Sequence, residues 1–324
     1  MKPSASTIAQ LVCMLCGYAL TSMGAVAADS SARPIRYVVA FAPGGLNDVV
    51  GRVFCQKLTE SWGQPVIVDN RPAAGGNLGA ELVARSTPDG HTLLSISTAH
   101  AIAQTLYTKL GYSLERDLAP IAILGSAPLI TVVHPSVPVK SVPELVNWAK
   151  SNRATYASGG VGVISHLSME MLKQAARFDA THVPYKGGGP ALVDLLAGQV
   201  QLHTNDIGLV ISAVRAGKLR AIGMMTEKRH ALFPELPTFI EQGYKEFVMG
   251  NWIGVVAPIA TPKPAIDKLS AELSRIARLP DVTKRFVEQG FDTSGSTPEA
   301  ASALVKSEVA RFGAAVRASG AKVD

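Results

Sequence analysis

The chain has 324 residues, of which 47% are hydrophobic and 17% are charged, a composition typical of a globular protein long enough for two domains. Its formal net charge is +6, but the Lys and Arg residues are scattered and form no basic run or aromatic-interleaved basic patch. We therefore expect no nucleic-acid partner, and the mild basic charge is weak evidence for attraction of acidic solutes.

The first residues carry the pattern of a secretory signal peptide. The pattern consists of a basic residue, an apolar segment and a small-residue cleavage site: Lys2, Leu11–Leu20 and Ala25-Val26-Ala27. We predict a signal peptide over residues 1–27, cleavage after Ala27 or one residue later, and a periplasmic mature protein. A retained anchor and a lipoprotein are the alternatives, although Cys16 lacks the small preceding residue that lipidation requires.

The first structured stretch reads as a strand, a glycine turn and a helix. Tyr37–Phe41 is rich in β-formers, Pro43-Gly44-Gly45 ends it, and apolar residues then recur at helical spacing from Val49 to Leu58. Asn47 or Asp48 is predicted to cap the helix. Such a turn exposes backbone N–H groups at a helix N-terminus, which suits a carboxylate or another anion. A tight turn with no ligand is the alternative.

Cys55, the one cysteine left after the predicted cleavage, falls among the apolar positions of this helix. We therefore expect a buried thiol, no intramolecular disulfide, and a fold that depends on a sizeable hydrophobic core. The chain contains no low-complexity segment and no close internal repeat.

Strands that end in glycine or small polar residues recur before helices along the chain. The predicted strands are Pro65–Val68, His91–Ser97, Leu129–Val133, Thr155–Ser158, Val200–His203, Arg220–Met225 and Met249–Ala257. Ser165 is predicted to cap the helix Leu167–Ala176, and Pro190 to be the first residue of the helix that continues over Ala191–Ala197. This alternation predicts α/β lobes with mostly parallel sheets, whose ligands bind at the carboxyl ends of strands.

Two of these strands are predicted to connect the lobes. Leu129–Val133 precedes a plausible crossing at His134–Pro138, and Met249–Ala257 reads as the strand that returns to the first lobe. The carboxyl-terminal region is predicted to be helical over Pro264–Arg278 and Glu299–Ala318, and to pack on the first lobe.

Motifs for common cofactor and catalytic chemistry are missing. Gly159-Gly160-Val161-Gly162 lacks the third glycine of a dinucleotide fingerprint, and Lys186 precedes its glycines, whereas a P-loop needs the Lys after them. His166 and Glu170 could touch on a helix, but two residues are too few for a metal site. We therefore expect that the protein binds no cofactor and no metal and is not an enzyme. The weaker alternative is that Asp48 and Asp206 form an acid/base pair.

An ordered set of segments carries a resemblance to a known family. The segments are Phe41–Gly45 with Asp48 and Arg52, Val68–Pro72 with Gly75-Gly76, Pro88–Leu94, Tyr156–Gly159 with His166-Leu167, His182–Gly187, Gly217–Arg220, Pro234–Thr238, and Trp252 with Ala257-Pro258. From about Pro34 to the C-terminus, the chain resembles the Bug-type, TctC-like extracytoplasmic solute receptors of tripartite tricarboxylate transporters.

The resemblance implies a type II periplasmic-binding-protein fold, with two α/β lobes joined by crossing hinge strands. Lobe I is expected to comprise residues 28–134 plus 248–324, and lobe II residues 135–247. The lobes are expected to close on a small carboxylated solute, such as a dicarboxylate, a tricarboxylate, an amino acid, or a nicotinate-type or other aromatic acid. The expected partners are the membrane subunits of a tripartite tricarboxylate transporter, and the receptor is expected to be a monomer.

The glycine-rich turns of both lobes are the implied ligand site. Its residues are Pro43, Gly44, Gly45, Asn47, Asp48, Ser97, Thr98, Ala99, Ser158, Gly159, Gly160, Gly162, Ser165, His166, Tyr185, Lys186, Gly187, Asn205 and Asp206. Two other functions stay open: a sensory receptor that signals to a membrane kinase, and a secreted hydrolase that uses Asp48, His166 or Asp206.

Overall fold

The computed structural model describes residues 33–72 and 74–319, and the described residues from Pro34 onward belong to one compact unit. The predicted signal peptide, residues 1–27, lies outside the described residues. Within the described ranges, the helices are all too short or too polar to cross a membrane.

The first part of the chain builds a parallel sheet of three strands, which pair in the order β2-β1-β3. The strands are β1 (Ile35–Val39), β2 (Val66–Asn70) and β3 (Thr92–Ser97). The helices that follow them are α1 (Leu46–Trp62), α2 (Asn77–Ala84) and α3 (Thr98–Leu106). Val38 and Leu94 are fully buried, as expected for parallel strands with both faces covered, and Cys55 is buried as predicted.

The next strand, β4 (Leu118–Val133), is 16 residues long and is much longer than the predicted Leu129–Val133. Its first part contains Pro120, Gly125 and Pro128, residues that usually interrupt strands. Register shifts between Pro120 and Ala122 and between Ile123 and Gly125 accommodate these residues, so the strand continues as a bulged one.

The middle of the chain builds a second parallel sheet, in which the strands pair in the order β7-β5-β6. Its elements are α4 (Val142–Ser151), β5 (Thr155–Ser158), α5 (Ile164–Ala176), β6 (Thr181–Pro184), α6 (Gly188–Leu196), β7 (Leu202–Asp206) and α7 (Ile207–Arg215). Ser141 caps α4, because its Oγ accepts a hydrogen bond from the Glu144 backbone N–H at 3.3 Å.

Antiparallel strands join the two sheets. These are β4 and β9 (Gly250–Pro258), whereas β8 (Arg220–Met224) pairs with β4 in the second sheet. Over Leu118–Pro128, β4 pairs with β9. It then pairs with β7 over Leu129–Val133 and with β8 over Ile130–Val133. One strand therefore belongs to both sheets, and β9 returns to the first sheet beside β3, as predicted.

The carboxyl-terminal region is mainly helical, as predicted, and comprises α8 (Lys263–Ala277), α9 (Pro280–Val287), the short strand β10 (Asp292–Thr293) and α10 (Pro298–Ser319). The last helix buries Val305 and Phe312 in a cluster that also holds Ile102 of α3 and Leu167 of α5. Trp252 Nε1 donates a hydrogen bond to Glu308 Oε2 at 3.0 Å, which attaches this helix to β9.

The predicted fold class is confirmed: two α/β lobes, each with three parallel strands, are joined by crossing strands. The crossing strands are antiparallel, so each sheet is mixed. The residue boundaries given above for lobe I and lobe II stay a prediction.

Candidate functional site

The first glycine turn joins β1 to α1, and its two glycines differ in backbone conformation. Gly44 is left-handed, with a φ of +83°, whereas Gly45 has a φ of −78° and is the N-cap residue of α1. The helix therefore begins at Leu46, and the prediction that Asn47 or Asp48 caps it is wrong. Glycine adopts both conformations without steric cost. Asn47 and Asp48 follow the N-cap residue and lie in the first turn of the helix.

Asp48 braces this turn from within the helix. Its Oδ2 accepts hydrogen bonds from the Gly44 backbone N–H at 3.0 Å and from Arg52 Nε at 2.9 Å. Its Oδ1 accepts one from Asn70 Nδ2 at 2.9 Å. Burial raises the pKa of Asp48, but the hydrogen bonds from Arg52, Gly44 and Asn70 outweigh burial and hold this pKa below its usual value. The carboxylate is thus engaged by the protein itself, while Pro43, Gly44 and Gly45 are exposed.

The end of β3 lies beside this turn. Asn47 Oδ1 accepts a hydrogen bond from Ser95 Oγ at 3.1 Å, which joins α1 to β3. Ser97 is the N-cap residue of α3, and its backbone N–H donates to His100 Nδ1 at 3.1 Å. Burial lowers the pKa of His100 to about 4, so the ring is neutral near pH 7 and can accept this hydrogen bond. Ala99 is buried in the first turn of α3.

Thr98 connects α3 to the returning strand β9. Its Oγ1 donates to the Gly250 carbonyl oxygen at 3.3 Å and accepts from the Trp252 backbone N–H at 3.2 Å. The side chain is fully buried, and its hydroxyl is used within the protein both as donor and as acceptor. Thr98 therefore fixes the N-terminus of α3 against a strand that links the lobes.

The turn between β5 and α5 is held by its own polar side chains. Three backbone N–H groups donate to them: Gly159 to Ser165 Oγ at 3.1 Å, Gly160 to Ser158 Oγ at 3.1 Å, and Gly162 to His166 Nδ1 at 3.3 Å. Since α5 begins at Ile164 with Val163 as its N-cap residue, Ser165 lies inside the helix and the predicted cap is wrong.

These contacts decide which backbone N–H groups remain for a ligand. The N–H groups of Gly44, Gly159, Gly160 and Gly162 already have side-chain acceptors. In the part of the chain that the structure describes, the N–H groups of Gly45 and Val161 have no acceptor. Gly45 is the N-cap residue of α1, and Val161 lies two residues before Val163, the N-cap residue of α5. Both are therefore near a helix N-terminus, where the helix field favours an anion.

A stack of aromatic rings supports the β5–α5 turn. His182 lies between Tyr156 and His166, with ring centroids 4.9 and 4.2 Å apart, and its Nε2 is 2.6 Å from Ser158 Oγ. Burial lowers the pKa of both histidines, that of His182 to about 4. Both rings are therefore neutral near pH 7 and act as packed hydrogen-bonding groups.

The turn after β6 touches the turn after β5. Gly187 has a φ of +115° and is the N-cap residue of α6, and its N–H donates to the Gly159 carbonyl oxygen at 3.0 Å. The helix thus begins at Gly188, and the predicted start at Pro190 is wrong by two residues. Pro190 is tolerated in the first helical turn because its missing N–H would have no helical acceptor there.

Tyr185 and Lys186 precede this turn and differ in their surroundings. Tyr185 Oη donates to Asp194 Oδ2 at 2.6 Å. Burial and then this hydrogen bond raise the pKa of Tyr185 to about 12. The side chain of Lys186 is exposed.

The end of β7 completes the lobe II side. Asn205 Nδ2 is 2.7 Å from His203 Nε2, and a Cβ added to Gly188 would lie 2.7 Å from the same Asn205 atom. The turns of β5, β6 and β7 therefore converge at Gly159, Gly188 and Asn205. Asp206 Oδ2 accepts a hydrogen bond from Asn251 Nδ2 at 3.3 Å, whereas its Oδ1 is buried without a hydrogen-bond partner.

The connection between the predicted site residues of the two lobes runs through β9. Thr98 contacts Gly250 and Trp252, and Asp206 contacts Asn251 between them. Among the described residues, no hydrogen bond joins the Gly44-Gly45 turn directly to the lobe II turns. Two surface grooves of about 340 and 520 Å³ open elsewhere, near the amino ends of β1 and of β5 and β6.

Leu106, Tyr107 and Asn251 also belong to this region, but they were not predicted from the sequence. A Cβ added to Gly162 would lie 2.4 Å from Leu106 Cδ2 and 3.8 Å from Tyr107 Cε2, so the end of α3 packs on the β5–α5 turn. Asn251 is the third, and its polarity at the start of an apolar strand was the available signal. Leu106 has no distinguishing signal, since its spacing is that of any buried helix residue.

Comparison with known proteins identifies relatives over nearly the whole chain. Residues 50–321 match the TctC family, described as the tripartite tricarboxylate transporter family receptor. Protein BugT of Bordetella pertussis is 35% identical over 303 residues, which are 92% of this chain and 93% of BugT.

Solved structures are similar over a comparable length. The periplasmic binding protein BugD is 33% identical, with a TM-score of 0.83 over 89% of this chain and 98% of BugD. A Rhodopseudomonas palustris protein solved with adipate is 30% identical, with a TM-score of 0.86 over 91% of this chain and 100% of that protein. MatC from Rhodopseudomonas palustris, with bound malate, is 33% identical, with a TM-score of 0.82 over 88% of this chain and 99% of MatC.

Proposed function

Since this chain belongs to the tripartite tricarboxylate transporter family of receptors, we propose that it captures a small carboxylated solute between its lobes for the membrane subunits of such a transporter. The observation that carries the proposal is that two proteins similar over nearly the whole chain were solved with adipate and malate, both dicarboxylates. The mature chain would act in the periplasm, in keeping with a family of periplasmic binding proteins.

Capture would use the free N–H groups of two glycine turns from opposite lobes. Gly45 precedes α1 and Val161 precedes α5, so each helix contributes partial positive charge near an N–H that has no acceptor. A solute with two acid groups could engage both turns and favour the closed arrangement of the lobes. The exposed Lys186 adds positive charge beside the lobe II turns.

A secreted hydrolase is less well supported, because its three candidate residues have separate partners. Asp48 is bonded to Arg52, His166 stacks on His182, and Asp206 is bonded to Asn251. A nucleophile and base need a shared hydrogen bond, and these side chains form none with one another. A sensory receptor for a membrane kinase would bind its solute in the same way, and the proteins that co-purify with the membrane-bound receptor would distinguish it.

The test is a thermal-shift screen of the purified mature chain against malate, adipate, citrate, aspartate, nicotinate and benzoate. We expect at least one carboxylate to raise the melting temperature, and small-angle scattering with that solute to show contraction. The solute should be recovered unchanged after incubation. Turnover that disappears in Asp206→Asn or His166→Ala would instead support the hydrolase, and a panel without any stabilising acid would contradict carboxylate capture.

A further inference from the structure

Asp206 is a partly buried acid, and the environment of its carboxyl is suited to a protonated group. It is the last residue of β7 and lies beside Leu129 of β4 in the sheet register. Asn251 Nδ2 donates to its Oδ2 at 3.3 Å, while Oδ1 is shielded from solvent and has no partner. One carboxyl oxygen therefore has a protein partner, and the other is a shielded polar atom without one.

The residues that the sheet register and the hydrogen bonds place directly beside Asp206 carry no positive charge. Asp206 is the N-cap residue of α7, yet its side chain caps no backbone N–H of that helix. On β7, His203 is bonded to the Ala157 carbonyl oxygen and lies near Asn205. On β4, the residue opposite Asp206 is the apolar Leu129, and the uncharged Thr131 two residues further on is bonded to Thr204.

On the β9 side, the ionisable groups are engaged with one another. Glu308 accepts hydrogen bonds from Trp252 and from Arg311, and these side chains form the contact between β9 and α10. Trp252 and Asn251 are consecutive in a strand and so point to opposite faces, which places that pair away from Asp206. Within the described ranges, no Lys, Arg or His forms an ion pair with Asp206.

A buried carboxylate without a cation is strongly disfavoured relative to its neutral form. Burial raises the pKa of Asp206 to about 7, and the Asn251 hydrogen bond only partly opposes this. The side chain therefore exchanges its proton near neutral pH, and in the neutral form its free oxygen carries an O–H donor.

We propose that Asp206 binds the solute as a neutral carboxyl, donating a hydrogen bond from Oδ1 to a carboxylate oxygen of the solute. This inference rests on the proposed function and specifies its solute as one that presents an acid group at lobe II, rather than the ammonium group of an amino acid. An O–H···O⁻ bond is a strong, charge-assisted hydrogen bond, whereas an ionised Asp206 would repel the same solute. Binding should therefore take up one proton when Asp206 is ionised in the free receptor.

The experiment is calorimetric titration of the mature chain with malate and with adipate at pH 6.5, 7.5 and 8.5. Because one proton is taken up above the pKa, affinity should fall roughly twentyfold between pH 6.5 and 8.5. Titration at pH 8.5 in two buffers of different ionisation enthalpy should report uptake of about one proton per solute bound.

Asp206→Asn keeps the size of the side chain and a hydrogen-bond donor but cannot ionise. It should bind at pH 8.5 about as tightly as the wild type binds at pH 6.5, without proton uptake. Asp206→Ala lacks the donor and should bind weakly at every pH. The matched control is Asp179→Asn, an acid whose side chain is 98% exposed and which should leave the pH profile unchanged.

A readout that needs no solute is the pH dependence of unfolding. A folded pKa above the unfolded value means that the folded state binds more protons, so stability should fall as pH rises from about 4 to about 7. Asp206→Asn should remove this part of the profile, and its own melting temperature will show that it is folded.

The outcomes separate this inference from the proposed function. Tight binding of malate or adipate with no proton uptake, or with the same pH profile in Asp206→Asn, would overturn the inference and leave carboxylate capture standing. Affinity that rises with pH, with a preference for aspartate, would show that Asp206 binds an ammonium group as a carboxylate. Failure of malate and adipate to bind at any of the three pH values, together with a thermal-shift panel without any stabilising acid, would overturn both.

Discussion

Gly162 and Leu106 lie in direct contact, and a Cβ at Gly162 would be only 2.4 Å from Leu106 Cδ2. Leu106 ends the helix that follows β3, while Gly162 belongs to the turn that precedes α5. The contact thus joins a helix of the predicted lobe I to a candidate binding turn of the predicted lobe II. Any side chain at position 162 must displace Leu106 or separate the two elements.

We expect Gly162→Ala to weaken solute binding more than it weakens the fold. The alanine would combine a contact with Leu106 and a left-handed backbone, since Gly162 has a φ of +83°. The backbone strain costs about 1–2 kcal/mol, and the contact should add a penalty in the closed arrangement. Calorimetry with malate or adipate, and small-angle scattering at saturation, measure the two effects.

The matched control for this change is Gly217→Ala. Gly217 has a similar φ of +67°, but a Cβ there would meet nothing within 4 Å. It should lower the melting temperature through strain alone and leave affinity unchanged. Equal affinity in both variants would show that the Gly162–Leu106 contact does not affect closure.

The two glycines of the first turn should respond differently to substitution. Gly45→Val places bulk beside a free N–H, while its φ of −78° suits valine and a Cβ would approach only the Ala42 carbonyl oxygen, at 3.7 Å. We expect at least a tenfold loss of solute affinity, about 1.4 kcal/mol, with a small change in melting temperature.

Gly44→Ala is the comparison, because Gly44 rather than Gly45 has the left-handed backbone. It should reduce stability by about 1–2 kcal/mol. Thermal melts and calorimetry on both variants separate a binding role from a structural one. If Gly45→Val melted early and yet bound malate or adipate normally, the turn would be removed from the site.

Asp48→Asn should destabilise the protein in a pH-dependent way. At pH 7 the loss of the charge that holds Gly44, Arg52 and Asn70 should lower the free energy of unfolding by about 1–3 kcal/mol. The folded pKa of Asp48 lies below its ordinary value, so its stabilisation is present above the unfolded pKa, about 3.9, and is lost as pH falls through the folded pKa.

Urea unfolding between about pH 2.5 and pH 7, a range that includes the unfolded pKa of Asp48, tests this prediction. The difference between the wild type and Asp48→Asn should shrink as the pH is lowered. Asp267→Asn is the control, since it removes an exposed pair with Lys263 at 2.6 Å that contributes less than about 1 kcal/mol. A difference that stayed constant down to the lowest pH would contradict a charge-dependent brace.

The predicted export of the protein can be tested through its signal peptide, residues 1–27. We expect N-terminal sequencing of protein from the periplasmic fraction to begin at Ala28 or Asp29. Ala27→Leu, which replaces a small residue of the cleavage site, should leave a larger unprocessed form. A full-length chain found in the cytoplasm would contradict both the predicted location and the capture of an external solute.

Much of the architecture could be predicted from local patterns. Apolar runs indicated β1, β3, β5 and β9, and glycines after β1 and β5 indicated two of the turns, because strand periodicity and positive φ are properties of a few adjacent residues. The errors have local causes as well. The first part of β4 was missed because Pro120, Gly125 and Pro128 usually break a strand, and the helix caps were misplaced because Gly45 and Gly187 act as N-cap residues.

The sequence by itself thus determined two α/β lobes, their glycine turns and the family to which the chain belongs. Only the tertiary structure decided which backbone N–H groups of the turns can bind a ligand. The reason is that the hydrogen-bond partner of each N–H group and each carboxylate comes from residues that packing brings together. Asp48, Ser165 and His166 occupy N–H groups that the sequence left open to a ligand. Asp206 meets Asn251 across 45 residues of chain, and no local pattern could show that its second oxygen would be buried without a partner.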